Sequence, residues 1–223
     1  MIKVNDLNYS IGGSPILKDL TFHVPKKALT VLIGPNGVGK TTTLELLSGV
    51  RKINNDSVES IIKKHRILYL DMELLIFEEL TTKEYVDLIA DINNLNTQDI
   101  KVTLRDFEPM NLEDFYHVRI GGLSLGQKQK LTLFTGFLTK PDVLLFDEPF
   151  NALDYKSQNH LKNLFNEYKK DITFLITTHS LDNLEEYVDS CILLFEGRIE
   201  KQTYNNGGVS YGINYVIEKY KQT

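Results

Sequence analysis

Residues 34–41 read Gly-Pro-Asn-Gly-Val-Gly-Lys-Thr, between an apolar segment and the start of a predicted helix. The preceding residues 28–33 are apolar and rich in β-branched side chains, which predicts a buried parallel strand. Three threonines and an apolar stretch follow Lys40, and Gly49 is expected to end the helix. Glycines in such a loop let successive backbone N–H groups approach phosphate oxygens closely. The sequence therefore predicts a binding site for a nucleoside triphosphate.

Each part of this phosphate loop has a predicted role. The partial positive charge of the helix N-terminus adds to the loop amides, and the Lys40 ammonium neutralises the outer phosphates. The Thr41 hydroxyl is a candidate ligand for Mg²⁺. We expect a run of consecutive residues to hold the nucleotide: Gly34, Pro35, Asn36, Gly37, Val38, Gly39, Lys40, Thr41 and Thr42.

The composition narrows the class of protein. Of the 223 residues, 42% are hydrophobic and 25% are charged, as in an ordinary soluble globular protein. A net charge of −5 without a long basic run argues against nucleic acid as the main partner. The longest apolar runs are too short to span a bilayer, and residues 1–6 lack the apolar stretch of a secretory signal. The single cysteine, Cys191, lies in an apolar run and is interpreted as a buried hydrophobic residue. We expect a cytoplasmic protein.

Strand-like apolar segments recur along the chain, with segments of helical periodicity between several of them. The predicted strands are residues 4–9, 21–24, 29–33, 67–70, 143–146, 173–176 and 191–195. This alternation predicts an α/β fold with a mainly parallel sheet.

One region departs from the alternation. Residues 78–122 are polar and helix-like, and four of them are spaced as one helix face: Tyr85, Leu88, Ile89 and Ile92. We interpret this region as a helical subdomain inserted into the α/β core. Near the C-terminus we predict a loop over residues 203–208 and a short helix over residues 213–220.

A second motif adds two carboxylates. Residues 143–148 read Val-Leu-Leu-Phe-Asp-Glu, so an apolar strand delivers Asp147 and Glu148 at its carboxyl end, and Pro149 fixes the following turn. Ligands of parallel α/β sheets bind at that end of the strands. Asp147 is therefore predicted to hold Mg²⁺, directly or through water, and Glu148 to orient and deprotonate an attacking water.

Residues 121–127 read Gly-Gly-Leu-Ser-Leu-Gly-Gln and precede another predicted helix. A serine and a glycine at a helix start can form a second anion site, or can serve as an N-cap alone. Ser124 comes 147 − 124 = 23 residues before Asp147, with a helix and a strand between them. Residues 151–154 (Asn-Ala-Leu-Asp) follow the acidic turn, and His179 ends the next strand.

Taken in this order, the phosphate loop, the 123–127 signature, the acidic strand, the 151–154 loop and His179 resemble the nucleotide-binding subunit of an ABC transporter. The resemblance covers about residues 2–200. It implies an α/β P-loop NTPase fold with a RecA-like core, an antiparallel β subdomain and an inserted α-helical subdomain. The implied organisation is a single ABC ATPase domain over 1–223, with a core of about 1–72 and 123–202, a helical subdomain of about 73–122 and a C-terminal tail of 203–223.

The resemblance also implies residue roles. In this family two subunits pair head to tail and sandwich two ATP molecules. Lys40 and Glu148 would be catalytic, Glu148 as the general base, and His179 would contact the γ-phosphate and orient the water. Thr41 and Asp147 would hold Mg²⁺. The signature residues Ser124, Gly126 and Gln127 would act on the partner's ATP, and Tyr9 would stack against adenine.

Two positions depart from the family pattern. Leu125 stands where the signature usually has glycine, and we expect little loss from this change. Met72 aligns with a glutamine that senses Mg²⁺ and the attacking water in the loop after residues 67–70. A soft thioether is a poor ligand for this hard cation. Either Glu73 substitutes through a one-residue slip, or hydrolysis is slow or coupled differently.

The resemblance implies an energy-coupling ATPase subunit with its permease on a separate chain, peripheral on the inner face of the cell membrane. A groove at about residues 72–85 would receive the permease. We expect export, because the segment between Gly49 and Ile67 is short and no regulatory domain follows residue 200. The residues after Leu123 are also similar to small exporter subunits of the bacitracin and lantibiotic-immunity kind. The partner nucleotide-binding subunit is either identical or different.

Three other functions are weighed against this hypothesis. A soluble ABC ATPase acting on DNA or ribosomes generally needs a coiled-coil insertion or tandem nucleotide domains, and the chain has neither. A regulatory module that hydrolyses ATP weakly or not at all is motivated by Met72, and Glu148→Gln would discriminate it from a hydrolase. A GTPase is disfavoured because no Asn-Lys-x-Asp base-reading motif occurs in the sequence.

Overall fold

The structure is a computed structural model that describes residues 1–71, 75, 77–178 and 184–204. The strands in this part of the chain are β1 (Ile2–Ile11), β2 (Ser14–Val24), β3 (Leu29–Ile33), β4 (Ile67–Leu70), β5 (Val143–Phe146), β6 (Thr173–Thr178), β7 (Ser190–Phe195) and β8 (Arg198–Tyr204). The α-helices are α1 (Lys40–Ser48), α2 (Asp56–Lys64), α3 (Thr82–Ile92), α4 (Thr97–Asp106), α5 (Leu125–Thr139) and α6 (Tyr155–Tyr168). Three short 3₁₀ helices lie between α4 and α5, at Glu108–Met110, Leu112–Phe115 and Ile120–Gly122.

The strands form two sheets. Strands β1 and β2 pair as an antiparallel hairpin, and the other six have the order β4-β5-β6-β3-β7-β8. Strand β3 is paired in parallel with β6 and β7, and β5 in parallel with β6, whereas β8 runs antiparallel to β7. Sequence-distant strands thus become neighbours, so the phosphate loop after β3 and the carboxylates after β5 leave the same edge of the sheet.

The chain divides into two units, each with its own core. The first comprises Met1–Tyr69, Asp142–Glu148 and the described residues from Lys169 onward. All five residues of β3 and all four of β5 are buried, as their apolar runs predict. Strand β1 instead alternates, with Ile2 and Val4 buried and Lys3 exposed, because only one of its faces packs against the core.

The second unit comprises Leu70–Pro141 and Pro149–Tyr168. Its core is aromatic: the ring of Phe137 lies edge-on to Phe107 at 5.5 Å and to Tyr168 at 5.0 Å between centroids. Helices α3 and α4 each begin with a capping box, formed by Thr81 with Glu84 and by Asn96 with Asp99. The domain boundaries given above from the sequence stay a prediction.

The predicted α/β fold is confirmed, with specific differences. The helix after the phosphate loop ends at Gly49, which adopts a left-handed φ of 81° as expected of a C-terminal glycine. Helix α2 and strand β8 were not predicted, and the predicted loop is wrong at Thr203 and Tyr204, which pair with β7. The predicted helix over 213–220 lies outside the described residues. Within the described part of the chain, no helix is long and apolar enough to cross a membrane.

Candidate functional site

The phosphate loop connects β3 to α1 in the first unit, and two of its glycines are required by close contacts. A Cβ atom at Gly34 would lie 2.2 Å from the carbonyl oxygen of Leu194, so any side chain there would displace backbone. Gly39 has a φ of 107°, and a Cβ there would lie 2.5 Å from Leu17. The loop is thereby held against β7 and β2, while Asn36 and Gly37 remain exposed.

The ammonium of Lys40 lies inside this loop. Lys40 is only 7% exposed, and its Nζ donates to the carbonyl oxygens of Gly34 at 2.8 Å and Pro35 at 3.1 Å. Burial lowers the pKa of Lys40, while the negative charges of Glu148 and Asp147 oppose that shift. A buried cation of this kind is stabilised by an incoming anion, as a phosphate-binding lysine requires.

The Asp147 carboxylate is held by two threonine hydroxyls. Thr41 at the start of α1 donates to one oxygen, and Thr177 near the end of β6 donates to the other. Strand register explains the second contact, since Phe146 is paired with Ile176 and the next residues on both strands are therefore neighbours. The structure thus brings together two residues that are 106 positions apart in the sequence, Thr41 and Asp147.

Glu148 follows in an uncommon backbone conformation. Its φ is 51°, in the left-handed region that residues other than glycine rarely adopt. Its backbone N–H donates to the Thr177 hydroxyl at 2.9 Å. Strained conformations of this type persist where surrounding contacts hold them and are concentrated at functional sites.

The donor set at Asp147 fits a magnesium ion accompanied by a nucleotide. No group of three or more His, Cys, Asp or Glu side chains that could hold a metal occurs among the described residues. Mg²⁺, however, is commonly bound by one or two carboxylates together with substrate phosphates and water. The carboxylate of Asp147 and the hydroxyl of Thr41 are hard oxygen ligands in contact with one another.

The signature lies in the second unit, at the start of α5. Ser124 is the N-cap: its Oγ accepts from the backbone N–H of Gln127 at 3.3 Å, and the Gln127 Oε1 accepts from the Ser124 N–H at 2.9 Å. Both readings of the sequence, N-cap and anion site, are compatible with this geometry, because the first N–H groups of a helix have no acceptor within it. Ser124 is exposed, and Leu125 is 61% exposed.

Tyr9, predicted to stack against adenine, has other neighbours in the structure. It packs against the hydrophobic core of the first unit, and the guanidinium of Arg51 lies 5.8 Å from its ring centroid. Arg51 also donates to the Tyr9 hydroxyl at 3.5 Å and pairs with Glu45 at 2.7 Å. The role of Tyr9 in adenine binding stays a prediction.

Several predicted positions lie outside the described residues, namely His179, Met72 and Glu73. The structure therefore brings together part of the predicted set: the phosphate loop, Lys40, Thr41, Asp147 and Glu148 in the first unit. The sequence analysis gave Thr177 no role, although its place at the end of the strand adjacent to β5 could have indicated one. The cysteine prediction is consistent with the structure, since Cys191 is buried and burial raises its pKa to about 12.

Comparison with known proteins supports one family. The ABC transporter family profile matches residues 17–151. The zinc import ATP-binding protein ZnuC of Rickettsia bellii (strain RML369-C) is 34% identical over 198 residues, which cover 87% of this chain and 82% of that protein. An uncharacterised ABC transporter ATP-binding protein of Bacillus subtilis (strain 168), YxlF, is 30% identical over 204 residues, covering 89% of this chain and 69% of that protein.

A solved structure agrees. It is described as the ATP-binding subunit of an ABC transporter, has 27% sequence identity and superposes with a TM-score of 0.83 over 98% of both chains. The fold, the phosphate loop and these relatives lead to the same conclusion. The chain belongs to the ABC transporter family as an ATP-binding subunit, and it is an ATPase of that family.

Proposed function

We propose that this chain binds Mg-ATP at its phosphate loop and hydrolyses it to drive transport through a separate permease chain. The single observation that carries the proposal is the grouping of Lys40, Thr41, Asp147 and Glu148 at one edge of the sheet. A buried ammonium, a hydroxyl–carboxylate pair and a second carboxylate are the groups that phosphoryl transfer to water requires.

Nucleotide binding would use the loop from Gly34 to Thr42. On arrival of the phosphates, the Lys40 Nζ would exchange the carbonyl oxygens of Gly34 and Pro35 for phosphate oxygens. This exchange is favourable because the buried ammonium gains a negatively charged partner. The amide groups at the start of α1 would supply the remaining donors.

Thr41 and Asp147 would hold Mg²⁺, which when bound neutralises charge on the phosphates. The rest of the chemistry falls to side chains of the chain itself. Glu148 would accept a proton from the attacking water. The Thr177 hydroxyl, which accepts from the Glu148 N–H and donates to the Asp147 carboxylate, would hold these two residues in a fixed arrangement. For His179 we propose the role that the family resemblance implies, which is to contact the γ-phosphate and orient the attacking water.

The signature would serve the ATP of a second subunit. Ser124 and Gly126 lie in a different unit from the phosphate loop, and Ser124 and Leu125 are exposed at the start of α5. With Gln127, they would close over ATP that is bound to the phosphate loop of the partner, in a homodimer or a heterodimer. ATP binding would then close the dimer and hydrolysis would open it.

The remaining parts of the proposal concern the membrane. A permease would dock at about residues 72–85, with the chain peripheral on the inner face of the cell membrane. We propose export, because the segment between α1 and β4 contains a single nine-residue helix, α2. Of the two relatives compared above, one is named as an import protein, so the direction needs its own assay. Uptake that depends on an extracellular binding protein would overturn export.

The decisive test of the nucleotide chemistry is Glu148→Gln, which keeps the shape of the side chain and removes the proton acceptor. We expect ATPase activity to fall by about 10²–10⁴-fold, and the mass by light scattering to rise from that of one chain, 25.6 kDa, to that of two in Mg-ATP. Lys40→Ala is the control, and it should neither bind ATP nor change mass.

Two results would contradict parts of this scheme. Weak hydrolysis in the wild type that Glu148→Gln leaves unchanged would exclude the general-base role and favour a regulatory module. Tight ATP binding without any change in mass would mean that a different subunit or the permease completes the site.

A further inference from the structure

The loop that follows the acidic pair is fixed at its C-terminal end by the start of α6. The Asp154 carboxylate accepts from the N–H and the hydroxyl of Ser157, both at 2.9 Å. The Gln158 Nε2 donates to the carbonyl oxygens of Phe150 and Leu153, each at 3.2 Å. These contacts hold the loop to the start of α6, which continues the same segment of chain.

The same loop is also attached to the signature helix α5, at three points. The Gln129 Nε2 donates to the carbonyl oxygen of Pro149 at 2.9 Å. The Lys130 ammonium lies 3.2 Å from the Asp154 carboxylate. At Gly126, a Cβ atom would lie 2.8 Å from the carbonyl oxygen of Ala152, so helix and loop are in direct backbone contact.

Of the three residues of α5 that contact the loop, Gln129 is the one whose burial is hardest to explain by stability alone. The residue is 1% exposed, and its Oε1 is buried without a hydrogen-bond partner among the described residues. A buried carbonyl oxygen without a partner is destabilising, and a methionine of similar size would avoid that penalty. Packing therefore does not account for a glutamine at this position, whereas the hydrogen bond to Pro149 does.

The hydrogen bond from Gln129 to Pro149 restrains the backbone next to Glu148. Pro149 directly follows Glu148, and its ring fixes its own φ. A restraint on the Pro149 carbonyl therefore limits how the peptide unit between these two residues can turn. Glu148 itself has the unfavourable φ of 51°, which needs restraint from its surroundings.

We propose that Gln129 is a positioning residue that couples the two ATP sites of the dimer, by linking the signature helix to the backbone of Glu148. The inference rests on the proposed function, in which the start of α5 meets the partner's ATP while Glu148 acts on the ATP of its own subunit. Ser124 and Gln129 are five residues apart, about 7.5 Å along a rigid helix. Movement of the helix start on meeting ATP thus reaches Pro149 through one hydrogen bond.

The test is Gln129→Met, which keeps the side-chain volume and removes the donor. We expect kcat to fall about five- to tenfold with KM changed less than about twofold, and the Hill coefficient for ATP to fall from near two to near one. Binding of ATP and the change of mass in Mg-ATP should be retained, because Gln129 touches neither the phosphate loop nor Ser124 in the hydrogen bonds described above.

Gln158→Met is the matched control. It removes donors to the same loop from α6 instead of α5, so it should lower the melting temperature while leaving the Hill coefficient unchanged. If Gln129→Met does not fold, Lys130→Gln breaks the ion pair to Asp154 from the same helix and should lower the Hill coefficient in the same direction.

Three outcomes overturn the proposal. If Gln129→Met, or Lys130→Gln in its place, keeps both the wild-type kcat and the Hill coefficient, the coupling role is excluded. If Gln129→Met and Gln158→Met change melting temperature and kinetics alike, the role is merely structural. If the wild-type protein neither dimerises nor responds cooperatively to ATP, both the proposed dimer and the coupling are excluded. The first two outcomes, by contrast, exclude the coupling and leave the dimer in place.

Discussion

The two helix starts that we assign to ATP differ in how their N-terminal N–H groups are satisfied. Helix α1 begins after Gly39, which forms no side-chain cap. Helix α5 begins with Ser124, whose hydroxyl and backbone form a complete capping box with Gln127. The first N–H groups of α1 therefore depend on an outside acceptor, whereas at α5 the N–H groups of Ser124 and Gln127 are satisfied within the chain.

This difference separates a primary binding site from a secondary one. At α1, the glycine loop and the buried Lys40 add to the free N–H groups, and all of them favour a polyphosphate. At α5, the Ser124 Oγ accepts from the Gln127 N–H, and the Ser124 O–H is the hydroxyl donor left for a phosphate. We therefore infer that ATP binds first at α1 and that α5 engages it only when a partner subunit brings the nucleotide to Ser124.

Among the changes that test this comparison, the largest effect on activity is expected from Lys40→Met, which removes the buried ammonium and keeps its aliphatic stem. We expect kcat/KM for ATP to fall by about 10²–10³-fold, as for loss of a preorganised charge-stabilising group. The melting temperature should stay the same or rise, because burial lowers the pKa of Lys40 and its charge is therefore costly in the folded protein. Lys52→Met, at an exposed lysine, is the control and should change neither quantity. Normal activity in Lys40→Met would contradict the assignment of the α1 start as the primary ATP site.

The second-largest effect on activity is expected at the capped start of α5. Ser124→Ala should lower the free energy of unfolding by about 1 kcal/mol through loss of the N-cap, and should lower ATPase activity about tenfold or more through loss of a donor to the partner's ATP. Ser124→Thr keeps a hydroxyl and should restore most of the stability. Chemical denaturation and steady-state kinetics on the same samples separate the two roles. If Ser124→Ala loses stability but keeps full activity, Ser124 is only a cap.

A smaller effect on activity is expected from Thr177→Val, which is nearly the same size and lacks the hydroxyl. It would leave the Glu148 N–H without its acceptor and Asp147 with one donor fewer, so we expect a loss of about 1–2 kcal/mol in unfolding free energy. Activity should fall several-fold, chiefly in kcat. Thr177→Ser should recover both properties. An unchanged kcat in Thr177→Val would show that the hydrogen bond from the Glu148 N–H to Thr177 does not contribute to catalysis.

The smallest effect is a pH dependence at Asp154. The N–H of Ser157, then its hydroxyl and Lys130, lower the pKa of Asp154 to about 2. An aspartate whose pKa is lower in the folded than in the unfolded state adds stability above its unfolded pKa, near 4, and loses it as the pH falls towards 2. Asp154→Asn should therefore flatten the change of melting temperature between pH 5 and pH 3. Parallel curves for Asp154→Asn and the wild type would contradict this shift.

The parts of the fold that could be predicted from the sequence are those with a strong local pattern. The buried strands β3 and β5 are short apolar runs, and Gly49 is a typical helix C-terminus, so local chemistry sufficed. Strand β8 was missed because its sequence, Arg198–Tyr204, is largely polar and is a strand through its pairing with β7. Helix α2 was missed although Asn55 caps it and the cap was visible in the sequence.

Local sequence predicts the groups of the site: a glycine-rich loop before a lysine, an apolar strand before two carboxylates, and a serine at a helix start. Each is a short motif that predicts a function from residue types at fixed spacing. Which distant residues become neighbours depends on how the strands and helices pack. Thr41, Asp147 and Thr177 become neighbours because strands far apart in sequence lie side by side in one sheet, and Gln129 reaches Pro149 because α5 packs beside that loop.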